Sequence, residues 1–232
     1  TLIIKNYSIV YVNSTINATT ILLEGWSSIN TTANIKTTDL TIDSYSSLVL
    51  EPGANVSYTT FNWSTYSTIM DNGGPFALLG EGNDLMIEDT RTLFANSLKS
   101  YNNVFVNGTL FANKIRNVST ITLNGIITHS GMQATKTYMV NITAINITIY
   151  TNGTINTSSK GYDGGEGPGA STQDGSQWTG GGGYGGTGGN GTGSSVGGLT
   201  YGSITAPIDL GSGSADNSYG NGAPGGGAVF LN

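Results

Sequence analysis

Apolar and polar residues alternate with period two along much of the first 160 residues. In residues 9–18, Val10, Val12, Ile16 and Ala18 fall on one face, and Tyr11, Asn13, Thr15 and Asn17 on the other. Residues 104–112 repeat the pattern: Val104, Val106, Leu110 and Ala112 face in, and Asn107 faces out. Further alternating segments cover residues 40–45, 47–50, 121–127 and 140–150. β-Branched and aromatic residues dominate them, and Gly, Asn, Ser or Pro separate them, which predicts an all-β fold of many short strands. Along 140–150 the isoleucines Ile142, Ile145, Ile147 and Ile149 switch phase. A corner or bulge near Ala144 is expected there, turning both Asn141 and Asn146 to solvent.

The segments beginning at Val104, Thr109 and Ile121 read as stacked coils of a β-solenoid, with apolar ladders inside and polar residues outside. The expected inward ladder is Val104, Val106, Leu110, Ile121, Leu123, Ile142, Ile147 and Ile149. No single repeat length emerges; a coil of about 20–25 residues fits loosely. A β-sandwich is the rival architecture. Residues 71–100 fit least well. Asn72-Gly-Gly-Pro is a breaker, and after it Asn83-Asp84 can cap a helix bearing Met86, Phe94 and Leu98. Short strands around Leu85, Ile87 and Leu93 are the preferred reading.

At Gly161 the composition changes. Residues 1–160 hold 10 glycines and residues 161–232 hold 26, so the chain divides into a strand-rich solenoid region, 1–160, and a glycine-rich module, 161–232. Glycine buries nothing and loses the most entropy on ordering. Yet Tyr162, Trp178, Tyr184, Tyr201, Tyr219 and Phe230 are spaced through the module, which predicts ordered, tightly packed loops rather than a linker. The end, Gly225-Gly-Gly-Ala-Val-Phe-Leu, reads as a return to a strand.

Five pieces occur in order: Gly161-Tyr-Asp-Gly-Gly-Glu-Gly-Pro-Gly, Gly182-Gly-Tyr-Gly-Gly-Thr-Gly-Gly-Asn-Gly, Tyr201-Gly-Ser, Pro207-Ile-Asp-Leu-Gly-Ser-Gly and Gly225-Gly-Gly-Ala-Val-Phe-Leu. As a set they resemble the glycine-rich insert of large secreted parallel β-helix surface proteins. Ile126-Ile-Thr-His-Ser-Gly and Asn146-Ile-Thr-Ile resemble the coils preceding that insert. The resemblance covers roughly residues 104–232. It implies a right-handed parallel β-helix and an adhesive or envelope role, and it carries no activity.

Only 9% of residues are charged, so Thr, Ser, Asn and Gly must supply the polar surface. The net charge is −6, and the eight basic residues are scattered, which argues against a nucleic-acid partner. There is no cysteine and therefore no disulfide. No apolar run is long enough to span a membrane. The chain opens on a strand-like run, Thr1-Leu-Ile-Ile, read either as a processed form or as a segment of something longer.

The sharpest signal is the motif Asn-x-Ser/Thr. It occurs at Asn6, Asn13, Asn17, Asn30, Asn55, Asn62, Asn107, Asn117, Asn141, Asn146, Asn152, Asn156 and Asn190. For 24 asparagines, chance gives roughly six such sites. The outward strand phase of Asn13 and Asn17 supports their use as N-glycan acceptors. Accidental sequons in an Asn- and Thr-rich chain are the competing explanation.

Chemistry is sparse. His129 is the only histidine, and a turn role suits it better than a catalytic triad. With one His and no Cys, a zinc site is not expected. Glycosidase chemistry needs two acids beside a cleft. Asp39 and Asp43 share an outward face and Glu88-Asp89 are adjacent, but Trp26, Trp63 and Trp178 are far apart in sequence. Asp163 and Glu166, or Asp216 and Asn217, are weak calcium candidates, matching neither the EF-hand nor the nonapeptide pattern. No phosphate-binding glycine motif is present. Three functions follow. The first is a non-enzymatic, N-glycosylated extracellular structural protein: a subunit of a filament, sheath or surface layer, self-associating by strand addition. The second is an adhesin or carbohydrate-binding module of a larger surface protein. The third, least supported, is a carbohydrate-active enzyme. No cofactor beyond the weak calcium candidates is expected.

Overall fold

A computed structural model describes residues 1–51, 54–63, 68–71, 77–79, 82, 84–95, 97–131, 133–173, 178–217 and 220–232. Among these, every regular element is a β-strand, and the strands stack in parallel as a β-solenoid. The parallel registers exclude the sandwich, whose sheets are antiparallel. The breaker at 72–75, Asn83 of the alternative helix cap and Tyr219 lie outside the described residues. The rest of that helix is instead Leu85–Ile87, Thr92–Phe94 and Ser97–Lys99, three short strands.

The chain forms two compact units. One comprises Thr1–Thr128, Ile142–Thr154 and Asn232, and the other His129–Asn141 and Ile155–Leu231. In the first, each coil contributes to three faces. On one face Ile16 stands beside Ile35, and Ile35 beside Val56. On the next Leu2, Ile21 and Leu40 are in register. On the third Ile9–Val12, Ser28–Thr31 and Ser47–Leu50 align. The first two coils advance 19 residues, as between Ser27 and Ser46. The step then lengthens to 21, as between Asn34 and Asn55, and later shortens to 17, as between Ser100 and Asn117. The 21-residue step, with those of 22 between Asn55 and Ala77 and 20 between Ala77 and Ser97, falls within the expected 20–25, and the steps of 19 and 17 fall short of it.

The period-two pattern fills the interior. Leu85–Val104–Ile121 and Ile87–Val106–Leu123 form continuous ladders, and Leu93–Leu110–Ile127 forms a third; all nine side chains are buried. Each such side chain contributes about 1.5–3 kcal/mol relative to exposure. Between faces, backbones nearly touch: a β-carbon on Gly125 would lie 2.1 Å from the Gly108 carbonyl, so the Asn-Gly corners stack only as glycine.

Residues 140–149 depart from expectation. They form one assigned strand, Val140–Ile149. The phase does slip, because Ile145 and Asn146 are consecutive and both exposed. The inward ladder nevertheless ends at Ile142. Ile147 is only half-buried and Ile149 is 47% exposed, because past the slip neither side chain is enclosed as the earlier ladders are.

The second unit is ordered without being a sheet. The backbone N–H groups of Gly161, Tyr162 and Asp163 donate to Gly225, Gly211 and Gln133, at 2.8, 3.0 and 3.1 Å. Those of Gly211, Ser212 and Gly213 donate to Gly226, Gly183 and Glu166. A strand sends successive N–H groups to two sides. Three successive donors reaching three neighbours match a threefold, polyproline-like arrangement better than a two-sided strand. Such chains pack closely only as glycine: a β-carbon on Gly198 would lie 1.8 Å from the Gly169 carbonyl. A small core of Tyr162, Leu210 and Ala228, with Met139 against it, lies within this unit. Buried Gln133 accepts from the Thr137 and Tyr138 amides and donates to the Tyr138 and Lys160 carbonyls. The expected final strand is present as Val229–Leu231.

Candidate functional site

None of the thirteen sequon asparagines is buried. Asn30, Asn55, Asn107 and Asn141 are half-buried and the other nine are exposed. Where a register is given for a sequon asparagine, its neighbour in the adjacent coil is not another one. Asn17 stands beside Lys36, Asn30 between Tyr11 and Val49, Asn62 beside Thr41, and Asn55 beside Ala77. Coils lie about 4.8 Å apart, closer than two sugar chains can stand, so this spacing avoids crowding. Asn55 Nδ2 donates to Asn34 Oδ1 at 3.1 Å, and Asn117 Nδ2 to Ser100 Oγ at 3.3 Å. In Asn156-Thr-Ser, the Ser158 amide donates to Asn156 Oδ1 at 3.0 Å and folds the motif into an Asx turn.

A second exposed feature is an aromatic stack at the solenoid's first corners. Asn6 and Tyr7, Gly25 and Trp26, and Ser44 and Tyr45 all take left-handed φ values between 53° and 66°. The repeated corner aims three rings the same way. Tyr7 and Trp26 stack at 6.3 Å and Trp26 and Tyr45 at 4.4 Å, within 7° of parallel. Lys5 and Glu24 pair beside them at 2.5 Å. A left-handed non-glycine residue costs about 1–2 kcal/mol, and a ring pair returns about 0.5–1.5 kcal/mol. Tyr7, at the end of the stack, is 75% exposed.

The third feature is a cleft that brings together residues far apart in sequence. Phe61, Trp63, Asp84, Met86, Glu88 and Arg91 surround a hollow of about 360 Å³. The Arg91 guanidinium lies 5.4 Å from the Trp63 ring centroid and pairs with Glu88 at 2.8 Å. Asp84 Oδ1 accepts from the Asn103 amide at 3.0 Å and from its Nδ2 at 2.8 Å.

The remaining candidates occupy structural positions. His129 is buried, and its Nδ1 lies 2.6 Å from the Ser130 carbonyl. Burial holds its imidazole below the usual range, the Ser130 carbonyl works against that, and the Lys160 charge adds to it. Asp43 Oδ1 accepts from the Ser44 amide, closing a left-handed corner, while Asp39 is half-buried in Ile35–Ile42. Asp163 Oδ1 accepts from the Gly164 amide, Glu166 is exposed, and Asp216 Oδ1 accepts from Gly222. Among the described residues, no group of three acids or histidines converges as a metal site. No helix there is long and apolar enough to cross a membrane.

No protein-family model, curated protein or solved structure matches the chain.

Proposed function

We propose that this chain is a non-enzymatic, N-glycosylated structural protein of a cell exterior, a subunit of a filament, sheath or surface layer. The observation that carries this reading is the placement of the sequons: thirteen asparagines, none in the core, with those in registered pairs offset from one another between coils. Sugar on these positions would cover the flanks and discourage lateral association.

Self-association then uses the coil edges. Leu2–Ile4 and Ile9–Val12 each end their sheets, pairing on one side only among the described residues. Ile3, Tyr7, Ile9 and Tyr11 beside them are exposed. An unpaired parallel edge with apolar side chains is a template for strand addition from a second copy. Electron microscopy of purified protein tests this. Filaments are expected from the full chain and not after removal of residues 1–8. Assembly at undiminished yield without those residues would exclude strand addition.

The acids of the Trp63 cleft favour binding over catalysis, because Asp84 is committed to Asn103 and Glu88 to Arg91. A general acid or base needs a carboxyl free to exchange its proton with substrate.

A further inference from the structure

Among the described residues, one face of the solenoid is interrupted. Thr60–Trp63 pairs with Ile35–Ile42, and Leu85–Ile87 pairs with Asn103–Val106, but among the described residues no ladder joins Thr60–Trp63 to Leu85–Ile87. The neighbouring face runs on beside the gap, from Asn55–Ser57 through Ala77–Leu79 to Ser97–Lys99. At this level the aliphatic ladders give way to rings: Tyr58 packs on Phe61 at 5.1 Å, Phe61 on Trp63 at 5.8 Å, and the Tyr58 and Tyr101 hydroxyls meet. Phe61 and Trp63 stand in register with Leu40 and Ile42, so wide rings follow aliphatic side chains in these ladders. Two adjoining hollows lie at this level, of about 360 and 450 Å³, sharing Phe61 and Asp84.

We propose that this cleft binds a neutral pyranose saccharide. Its size falls in the range of small-ligand sites. Phe61 and the half-exposed Met86 offer apolar surface to the C–H face of a sugar, while Asp84, Glu88 and Arg91 offer acceptors and donors to its hydroxyls. Two buried donors on lining residues, Trp63 Nε1 and Arg91 Nε, have no hydrogen-bond partner among the described residues. Buried donors left unmade are costly, and ligand hydroxyls that reach them as the side chains adjust would offset that cost. Two carboxylates against one guanidinium leave the lining net negative, which disfavours acidic sugars and phosphates. The sugar has two sources: a separate saccharide, or the glycan on Asn62, which lines the same hollow. The second source rests on the glycosylation proposed above.

The test uses protein made without N-glycosylation and carrying Trp26→Phe and Trp178→Phe, which leaves Trp63 as the one tryptophan. Its emission is titrated with neutral hexasaccharides of glucose, mannose and N-acetylglucosamine, and with hexagalacturonate. A saturable change with at least one neutral probe, at least tenfold tighter than with the acidic one, is expected. Met86→Glu, at an exposed side chain, should weaken that binding tenfold or more without unfolding. No saturable response to any neutral probe overturns the proposal, and so does undiminished binding in Met86→Glu. Native glycosylated protein separates the sources. If only its Asn62→Gln variant responds to added sugar, the resident ligand is the Asn62 glycan; if both respond, it is a separate saccharide. Absence of sugar on Asn62 removes the first source and leaves the titration of bare protein to decide.

Discussion

In the solenoid, a buried isoleucine or leucine stands on another in the next coil; in the glycine-rich unit, a carbonyl stands where a β-carbon would be. Leu85, Val104 and Ile121 illustrate the first arrangement, and Gly198 against the Gly169 carbonyl the second. The solenoid gains stability from apolar area removed from water, and its backbone hydrogen bonds run to two sides. The glycine unit has little apolar area to bury. Its order comes from backbone groups satisfied in three directions, as at Gly161, Tyr162 and Asp163, with hydroxyls filling gaps. Ser212 Oγ accepts from the Gly169 amide and donates to Tyr201 Oη, and Ser171 Oγ links the Gly180 carbonyl to the Ala215 amide. One region is specified by what its side chains are, the other by where side chains are missing.

The contrast is broken most severely by adding to either interior what it excludes. Ile121→Asp buries an unpaired charge and should lower stability by about 4 kcal/mol or more, against little change for Thr122→Asp. Gly198→Ala should cost about 3 kcal/mol or more, because the obstructing atom is backbone and cannot turn aside. Gly186, with open space around it, should accept alanine within about 0.5 kcal/mol. Thermal or denaturant unfolding measures all four; equal tolerance at Gly198 and Gly186 would contradict the close-packed glycine bundle.

The aromatic level of the solenoid gives a smaller effect. Tyr58→Phe removes one partner of the buried hydroxyl pair and should cost about 1–3 kcal/mol by stranding Tyr101 Oη. Burial pushes both phenols above their ordinary range. Their raised native values mean that the contribution is fully present below about pH 10 and is lost above it, as the unfolded tyrosines shed protons first. Absorbance titration should show Tyr58 and Tyr101 ionising only with unfolding. Ionisation of all twelve tyrosines in the folded protein would refute the pairing.

Ile147→Asp should cost less than Ile121→Asp, about 1–2 kcal/mol, because Ile147 is only half-buried. The smallest effect belongs to His129. Its native value lies below that of the unfolded chain, so the unfolded state binds more protons as pH falls through about 6.5. Stability should therefore decline on acidification from pH 7, by at most about 1.4 kcal/mol per pH unit, and His129→Gln should flatten the decline.

The sequence pattern carries the strand phase well. Val10, Val12, Ile16 and Ala18 all lie deeper than Tyr11, Asn13, Thr15 and Asn17, and the 104–112 phase holds at every apolar position. The coil length was obscured because it drifts from 19 to 21 to 17 residues, so no fixed period survives along the chain. A local signal existed: Tyr7, Trp26 and Tyr45 recur every 19 residues, each followed by serine and preceded by Asn, Gly or Ser in a left-handed corner. The Trp63 cleft was not legible. It depends on a ladder that fails to form between strands, and alternation within Thr60–Trp63 or Leu85–Ile87 does not encode which strand lies alongside. Ile147 and Ile149 misled because alternation reports a strand's faces, not whether the last coil is enclosed.

The functional reading rests on sugar carried by the outward asparagines, and mass measurement of native material decides it. Intact mass before and after deglycosylation, with peptide mapping across Asn13 and Asn17, should show mass beyond the polypeptide and place sugar on most sequons in residues 1–160. Asn55, whose amide is engaged by Asn34, should be among the least occupied. Unmodified peptides at Asn13, Asn17, Asn146 and Asn152, the freely exposed positions, would contradict the account.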